Sequence, residues 1–355
     1  MRTTSRGPIA LVAALLALAA GCTAVEAPLP RATPGPTATA RPTPARTARP
    51  APLHPLRLTH NPLTGRRPVP SGPVVAVKVD NTAAGRPQVG LDSADVVYVE
   101  EVEGGLTRLV AVFASRRPRG VEPVRSVRNS DPELLAQYGR VALAFSGGAG
   151  GPLATLHRSR LVDASPARYG GAYHRDGSRP APYNLVLDLR RLVSALPGAT
   201  ARVRDVGFRW SSRPDPRLAR ARRVTRFTAT VGNTAVSFRW DRPSRRWVQT
   251  SAGGRAYRAA SGAPLGAPNV ILQMCRVSVD RRDVDVTGSP SAYSHTVGSG
   301  PALLLRDGRG IPGRWVRRSR GSPTRFVDAA GKDLLLRPGG VWVLLARAGS
   351  RWVAS

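Results

Sequence analysis

Three patterns of apolar and polar positions divide the chain. An unbroken apolar run fills Ile9 to Ala20, and a stretch almost free of large apolar residues follows from Thr23 to about Leu56. Short apolar runs separated by Gly, Pro, Asp and Asn occupy the rest. From Asn61 to about Pro197 these runs mix strand and helix periods. Val74–Val79 is β-branched and ends at Asp80-Asn81, and the strand-like runs Asp95–Glu103 and Leu106–Ala114 flank Gly104-Gly105. A Gly pair there predicts a two-residue hairpin turn. Glu103 then faces Leu106, Val102 faces Thr107 and Glu101 faces Arg108. Asp131–Tyr138 reads as a helix capped by Ser130 or Asp131, Val141–Phe145 as a buried strand, and Gly151–Arg158 and Leu187–Leu196 as short helices.

From about Val224 to Val353 the period is that of strands. Val224–Val231 and Ala235–Trp240 flank a Gly232-Asn233 turn, and Val236, Phe238 and Trp240 alternate as on a half-buried strand. Further strands are predicted at Trp247–Thr250, Asn269–Val279, Ala302–Arg306, Arg314–Arg318, Thr324–Val327 and Val341–Ala346. Asp307-Gly308 and Ala330-Gly331 signal turns between them. The predicted fold class is α+β. A mixed α/β N-terminal domain spans 57–200 and a mostly antiparallel β-rich C-terminal domain spans 224–355. An Arg-rich connection over 201–223 joins them.

The first 56 residues carry a different message. Arg2 and Arg6 precede the apolar run, and Ala19, Ala20 and Gly21 lead to Cys22. A charged start, a short apolar core and small residues before a break make a secretory signal. About a dozen apolar residues are too few to span a bilayer, which takes about 20. The pattern resembles a lipoprotein signal over residues 1–21, with Cys22 as the lipidated first mature residue. Residues 22–56, rich in Pro, Ala, Thr and Arg, are expected to form a disordered tether. They cannot bury enough apolar surface to offset a backbone entropy of about 1–2 kcal/mol per residue.

Composition changes the picture in one respect. Lys and Arg number 54 against 22 Asp and Glu, a net charge of +32, and only Lys78 and Lys332 are lysines. Such a field draws a protein toward anionic lipids and polymers. No recognition helix, zinc finger or aromatic RNA-binding signature accompanies it, so nucleic acid is not the expected partner. With Cys22 lipidated, Cys275 stands alone in a strand-like run and reads as a small hydrophobe rather than a nucleophile. His157, His174 and His295 lack metal-ligand spacing, and no metal or cofactor is expected. Trp315, Trp342 and Trp352 read as core or strand anchors.

Several motifs together resemble one family. Arg86-Pro87-Gln88-Val89-Gly90-Leu91, Ala94-Asp95-Val96-Val97-Tyr98 and Val102-Glu103-Gly104-Gly105-Leu106-Thr107-Arg108 open the series. Pro123-Val124-Arg125-Ser126, Tyr173-His174-Arg175-Asp176, Arg179, Ala181-Pro182 and Asn184-Leu185 continue it. Gly313-Arg314-Trp315, Pro323-Thr324-Arg325-Phe326 and Leu336-Arg337-Pro338-Gly339 follow in the second half. This set is similar to the YerB-like bacterial lipoproteins, whose domain of unknown function is numbered 3048. The resemblance implies a lipoprotein of the bacterial envelope with a two-part architecture. It implies no established activity.

The chemistry is therefore read from residue types. Polar residues crowd the ends of the apolar strands and tight turns of the first half, where loops on a scaffold carry binding groups. Candidate ligand-binding residues are Arg86, Arg108, Arg125, Ser126, Arg128, Ser146, Tyr173, Arg175, Arg179 and Asn184. Guanidinium groups fork onto phosphates and carboxylates, and the Gly-rich loop after Ser146 offers backbone N–H groups at a helix start. The leading expectation is a membrane-tethered lipoprotein on the extracytoplasmic face. It binds an anionic envelope ligand (glycan, polymer or acidic peptide) through an Arg-lined cleft in the N-terminal domain. The rival is an envelope hydrolase or transferase acting on a cell-wall substrate with paired carboxylates, using Asp80 or Glu103 with the arginines. That rival requires both to line one pocket, with at least one not neutralised by arginine.

Overall fold

Three strands of the first half, β1 (Val75–Asp80), β2 (Val96–Glu101) and β3 (Thr107–Phe113), are buried along their whole length. Such continuous burial requires a sheet covered on both faces. The computed structural model describes residues 58–284 and 288–355. The expected signal, Cys22 and the whole of the expected tether lie outside these residues. The described residues form one compact unit.

The main sheet has eleven strands. Ten of them follow one another side by side: Arg325–Val327, Arg309–Arg317, Gly298–Arg306, Asn269–Cys275, Val341–Arg347, β2, β3, β1, β4 (Ala142–Ala144) and β5 (Val162–Asp163). Arg222–Arg223 adds to Arg309–Arg317. The sheet draws on both sides of the 201–223 segment. At the junction β2 runs parallel to Val341–Arg347, with Val96 opposite Val341 and Val99 opposite Leu344. A second sheet of five strands, from Gly266–Ala267 to Trp352–Ala354, lies over one face. Phe238 meets Trp342 edge to face there, with centroids 5.6 Å apart. Apolar residues alternate between the faces. Val75, Val77 and Val79 join one core cluster, and Val74 and Ala76 join the other.

The helices are short. α1 (Asp131–Leu135) continues into a 3-10 turn through Tyr138, and α2 spans Gly150–His157. The expected cap of α1 is not made. Ser130 has helical angles and no side-chain cap bond. Asp131 is fully buried and its Oδ2 accepts from Arg128 N at 2.6 Å, closing the turn before the helix. Leu189–Ala195 is capped by Asp188, which accepts from the N–H groups of Arg190 and Arg191.

Two strand expectations change. Val102 N donates to Leu106 O at 2.8 Å beyond the strand ends, and the turn between them holds three residues, Glu103, Gly104 and Gly105, with φ of 65° at Gly104 and 71° at Gly105. The register shifts by one, so that Glu101 faces Thr107 and Glu100 faces Arg108. The reason lies in the second half. Gly105 O accepts from Asn233 N at 2.7 Å, and a Cβ at Gly105 would stand 2.3 Å from the Asn233 side chain. The predicted Asn269–Val279 strand also breaks. Asn269–Cys275 stays in the main sheet, while Val277–Val284 leaves it to pair with Pro290–Ser294. The Arg276 carbonyl at the break accepts from His295 N.

Candidate functional site

Parallel alignment of β1, β2 and β4 sends their carboxyl ends to one side. Asp80 and Glu101 close β1 and β2, Ser146 follows β4, and Arg108 is the second residue of the antiparallel β3 beside them. Ligands of open α/β sheets occupy this kind of edge.

The register places Asp80 opposite Arg108. Asp80 is fully buried. Its Oδ1 accepts from Thr82 N and Thr82 Oγ1, each at 2.6 Å, and its Oδ2 lies 3.1 Å from Arg125 Nε and 3.5 Å from Arg108 Nη1. Arg125 donates to Pro182 O at 3.1 Å and lies over the Tyr183 ring, 5.0 Å from its centroid. Arg86 donates to Asn81 Oδ1 at 2.6 Å and covers the Tyr257 ring at 3.6 Å. Glu103 is ion-paired with Arg128, whose Nη2 stands 2.5 Å from Oε2, and accepts from Ser291 Oγ through Oε1 at 2.9 Å. Six of the predicted residues (Asp80, Arg86, Glu103, Arg108, Arg125 and Arg128) thus form one neighbourhood.

Arg108 is its most constrained member. Its Nε and Nη1 are buried without a hydrogen-bond partner. Burial, then repulsion from Arg128 and Arg125, push its pKa down to about 10, with Asp80 and Glu103 opposing.

The other candidates fall elsewhere. Ser146, Tyr173 and Arg175 line a separate, mostly apolar cleft of about 690 Å³, with Phe145, Leu153 and Leu185. It lies beside the hairpin of β6 (Tyr173–Arg175) and β7 (Leu185–Leu187). Tyr173 OH donates to Ala164 O, and burial raises its pKa far above the usual phenol range. Arg175 donates to Asn184 Oδ1 at 2.7 Å. Arg179 donates to Pro87 O at 2.7 Å and stands 3.6 Å from Glu122, so it braces two loops. Ser126 is half-buried between Arg125 and Val127. The Gly-rich loop spends two peptide groups on that same segment: Ser146 N donates to Arg125 O, and Gly147 O accepts from Val127 N.

The paired-carboxylate geometry is not met. Asp80 and Glu103 are both buried, and both are held by arginines. Neither has the solvated face that a general base or nucleophile presents.

Sequence reasoning missed the buried partners of this edge. Lys78 Nζ donates to Asp131 Oδ1 at 2.9 Å and to Glu100 Oε1, with all three side chains closed to solvent. Burial first, then Asp131, raise the Glu100 pKa, and Lys78 opposes them. Glu133 on α1 accepts from the N–H groups of Thr296 and Val297 and from Tyr293 OH. Arg317 donates to the Glu133 carbonyl at 2.8 Å. The available signal was that Lys78 is one of two lysines in an arginine-rich chain. Among the described residues, no group of three His, Cys, Asp or Glu is placed to hold a metal. No helix among them is long and apolar enough to cross a membrane.

Comparison with known proteins matches both halves. The model of the N-terminal domain of the DUF3048 proteins of unknown function matches residues 58–202, and that of their C-terminal domain matches residues 226–343. A Bacillus subtilis (strain 168) protein named "Putative lipoprotein YerB" is 26% identical over 302 residues, covering 80% of this chain and 82% of its own. The crystal structure of YerB from Bacillus subtilis superposes with a TM-score of 0.68 at 21% identity, covering 83% of this chain and 99% of that one. That likeness establishes the shared fold, an α/β first half followed by a strand-rich second half. Matched across both halves by its sequence models, this chain belongs to the DUF3048 family of proteins of unknown function.

Proposed function

We propose that this chain is a lipid-anchored module that binds an anionic ligand of the bacterial envelope at the guanidinium cluster of Arg108, Arg125 and Arg128. The ligand class is a glycan, polymer or acidic peptide carrying carboxylate or phosphate groups. One observation carries the reading: at the carboxyl edge of the strands Arg108 holds a buried Nε without a hydrogen-bond partner, and its Nη1 meets only Asp80 Oδ2, at the long distance of 3.5 Å. A carboxylate or phosphate accepts guanidinium N–H groups in charge-assisted hydrogen bonds, and its charge offsets the repulsion among the three guanidiniums. Arg125, with 19% of its side chain exposed, forms the rim. Ser126, Arg86, Arg179 and Asn184 shape the loops around it, and Ser146, Tyr173 and Arg175 line the separate cleft.

The anchor in this reading is acylated Cys22. Two or more acyl chains hold a protein to a bilayer where one is marginal, and the sequence before Cys22 has the form of a lipoprotein signal. The YerB relative carries the lipoprotein name. On the extracytoplasmic face, the large excess of arginine over acidic residues favours anionic partners.

Two experiments test the proposal. Mass spectrometry of the membrane fraction should find an acylated peptide beginning at Cys22; an unlipidated, wholly released protein refutes the anchor. Binding of the full chain to purified wall and anionic-polymer fractions should fall in Arg125→Ala and in Arg128→Ala. Unchanged binding in both refutes the site.

A further inference from the structure

At the opposite end of the main sheet, where β2 and Val341–Arg347 begin, the two halves enclose a second cleft of about 540 Å³. Asp95 and Glu101 mark the two ends of β2, about 20 Å apart at roughly 3.3 Å per residue. The cleft is lined by Arg66, Arg67 and Arg116 from the first half and by Arg245, Arg246 and Arg337 from the second. Its floor is stitched across the halves: Gly339 N donates to Thr64 O at 2.7 Å and Val341 N to Asp95 O at 3.1 Å.

The carboxylates lining this cleft are occupied. Asp95 Oδ2 accepts from the N–H groups of Ala114 and Ser115 at 2.7 and 2.8 Å, and Asp92 Oδ2 accepts from Ser261 Oγ at 3.1 Å. Arg245 and Arg337 share Asp307 Oδ1, at 3.0 and 3.1 Å. Arg66, Arg116 and Arg246 make no ion pair among the described residues. Arg246 donates to the Gly266 carbonyl, and burial and Arg66 lower its pKa, with Asp92 opposing. The excess positive charge is thus concentrated on walls that come from four separated segments.

The geometry points to this cleft as a second, independent binding site, one for a ligand bearing two or more phosphate or carboxylate groups that bridges the two halves. Several guanidiniums spread around one concavity match a chain of anionic groups better than a single one. Planar forks pair with such groups bidentately, and a concave wall with few compensating charges focuses the field. Because its walls come from both halves, a bound ligand also ties residues 61–116 to residues 245–340, so binding stabilises the fold by mass action.

The test uses the full chain with tripolyphosphate and tricarballylate as probes and orthophosphate as the monovalent comparison. Isothermal titration and thermal melting should show at least one multivalent probe binding about tenfold or more tighter than orthophosphate and raising Tm. The Arg66→Gln/Arg246→Gln double variant should lose at least about tenfold in that affinity. Arg116→Gln, at an exposed rim position, should weaken it with the wild-type melting temperature retained, which keeps the test decisive if the double variant fails to fold. Orthophosphate binding as tightly as both probes overturns the proposal, as does wild-type probe affinity in Arg116→Gln and the double variant. Binding lost in Arg125→Ala but retained in these variants assigns the probes to the other edge, and also overturns it.

Discussion

Lys78 and Asp131 meet between sheet and helix, Nζ to Oδ1 at 2.9 Å, with neither side chain exposed. Glu100 accepts from the same ammonium. One compact cation thus serves two carboxylates, all three side chains closed to solvent. Removing it leaves buried charge uncompensated. Lys78→Met is expected to destabilise the fold by about 3–5 kcal/mol, read by urea unfolding. Lys78→Arg is expected to cost about 1–3 kcal/mol, because a larger planar group must enter a filled core. A Lys78→Arg protein as stable as wild type would contradict this view of the site.

Glu100 gives the fold a pH dependence of definite sign. Burial and the neighbouring Asp131 raise its folded pKa, while an unfolded Glu titrates near about 4.3. In the window between these values the folded chain binds the extra proton. Its contribution is therefore complete below the unfolded pKa and is lost as pH rises through the folded one. Glu100→Gln should flatten this decline. Parallel stability–pH curves for wild type and Glu100→Gln across that window would remove the claim.

Gly207 adopts φ of 100°, and a Cβ there would stand 2.0 Å from the Thr324 carbonyl oxygen. Gly207→Ala meets both an unfavourable backbone region and a backbone atom that cannot rotate away. A loss of at least about 1 kcal/mol is expected, measured by the denaturant midpoint. The neighbouring Gly198 meets nothing within 4 Å, so Gly198→Ala should leave the midpoint within about 0.5 kcal/mol of wild type.

Cys275 is 1% exposed, and burial pushes its thiol pKa up to about 12. A neutral, enclosed thiol is a poor nucleophile. In the Cys22→Ala chain, Cys275 should resist a maleimide reagent in the native state and react once after unfolding. Rapid native labelling would show that the strand Asn269–Cys275 opens.

Much of the fold was legible because strands, turns and caps are local. Val74–Val79, Ala235–Trp240 and Val341–Ala346 announced themselves through β-branched runs and alternation, and the structure places strands at each. The hairpin register was not legible. Gly104-Gly105 permits a turn of either length, and the contact of Gly105 with Asn233, far along the chain, selects three residues. The carboxyl-edge cluster was partly legible, since Asp80 and Arg108 sit at strand ends. That their charges cancel was not, because pairing depends on a one-residue register.

The strand-forming segments, the strong positive charge, the lipoprotein-like start and the family motifs are all written in neighbouring residues or simple counts along the chain. Tertiary structure alone decided that Val341–Arg347 lies against β2, so that one sheet runs through both halves. It also buried Lys78 between two acids and gathered Arg66, Arg116 and Arg246 around a single cleft. These outcomes depend on long-range pairing, and in a chain so rich in arginine no local pattern distinguishes the guanidiniums that converge from those that face water.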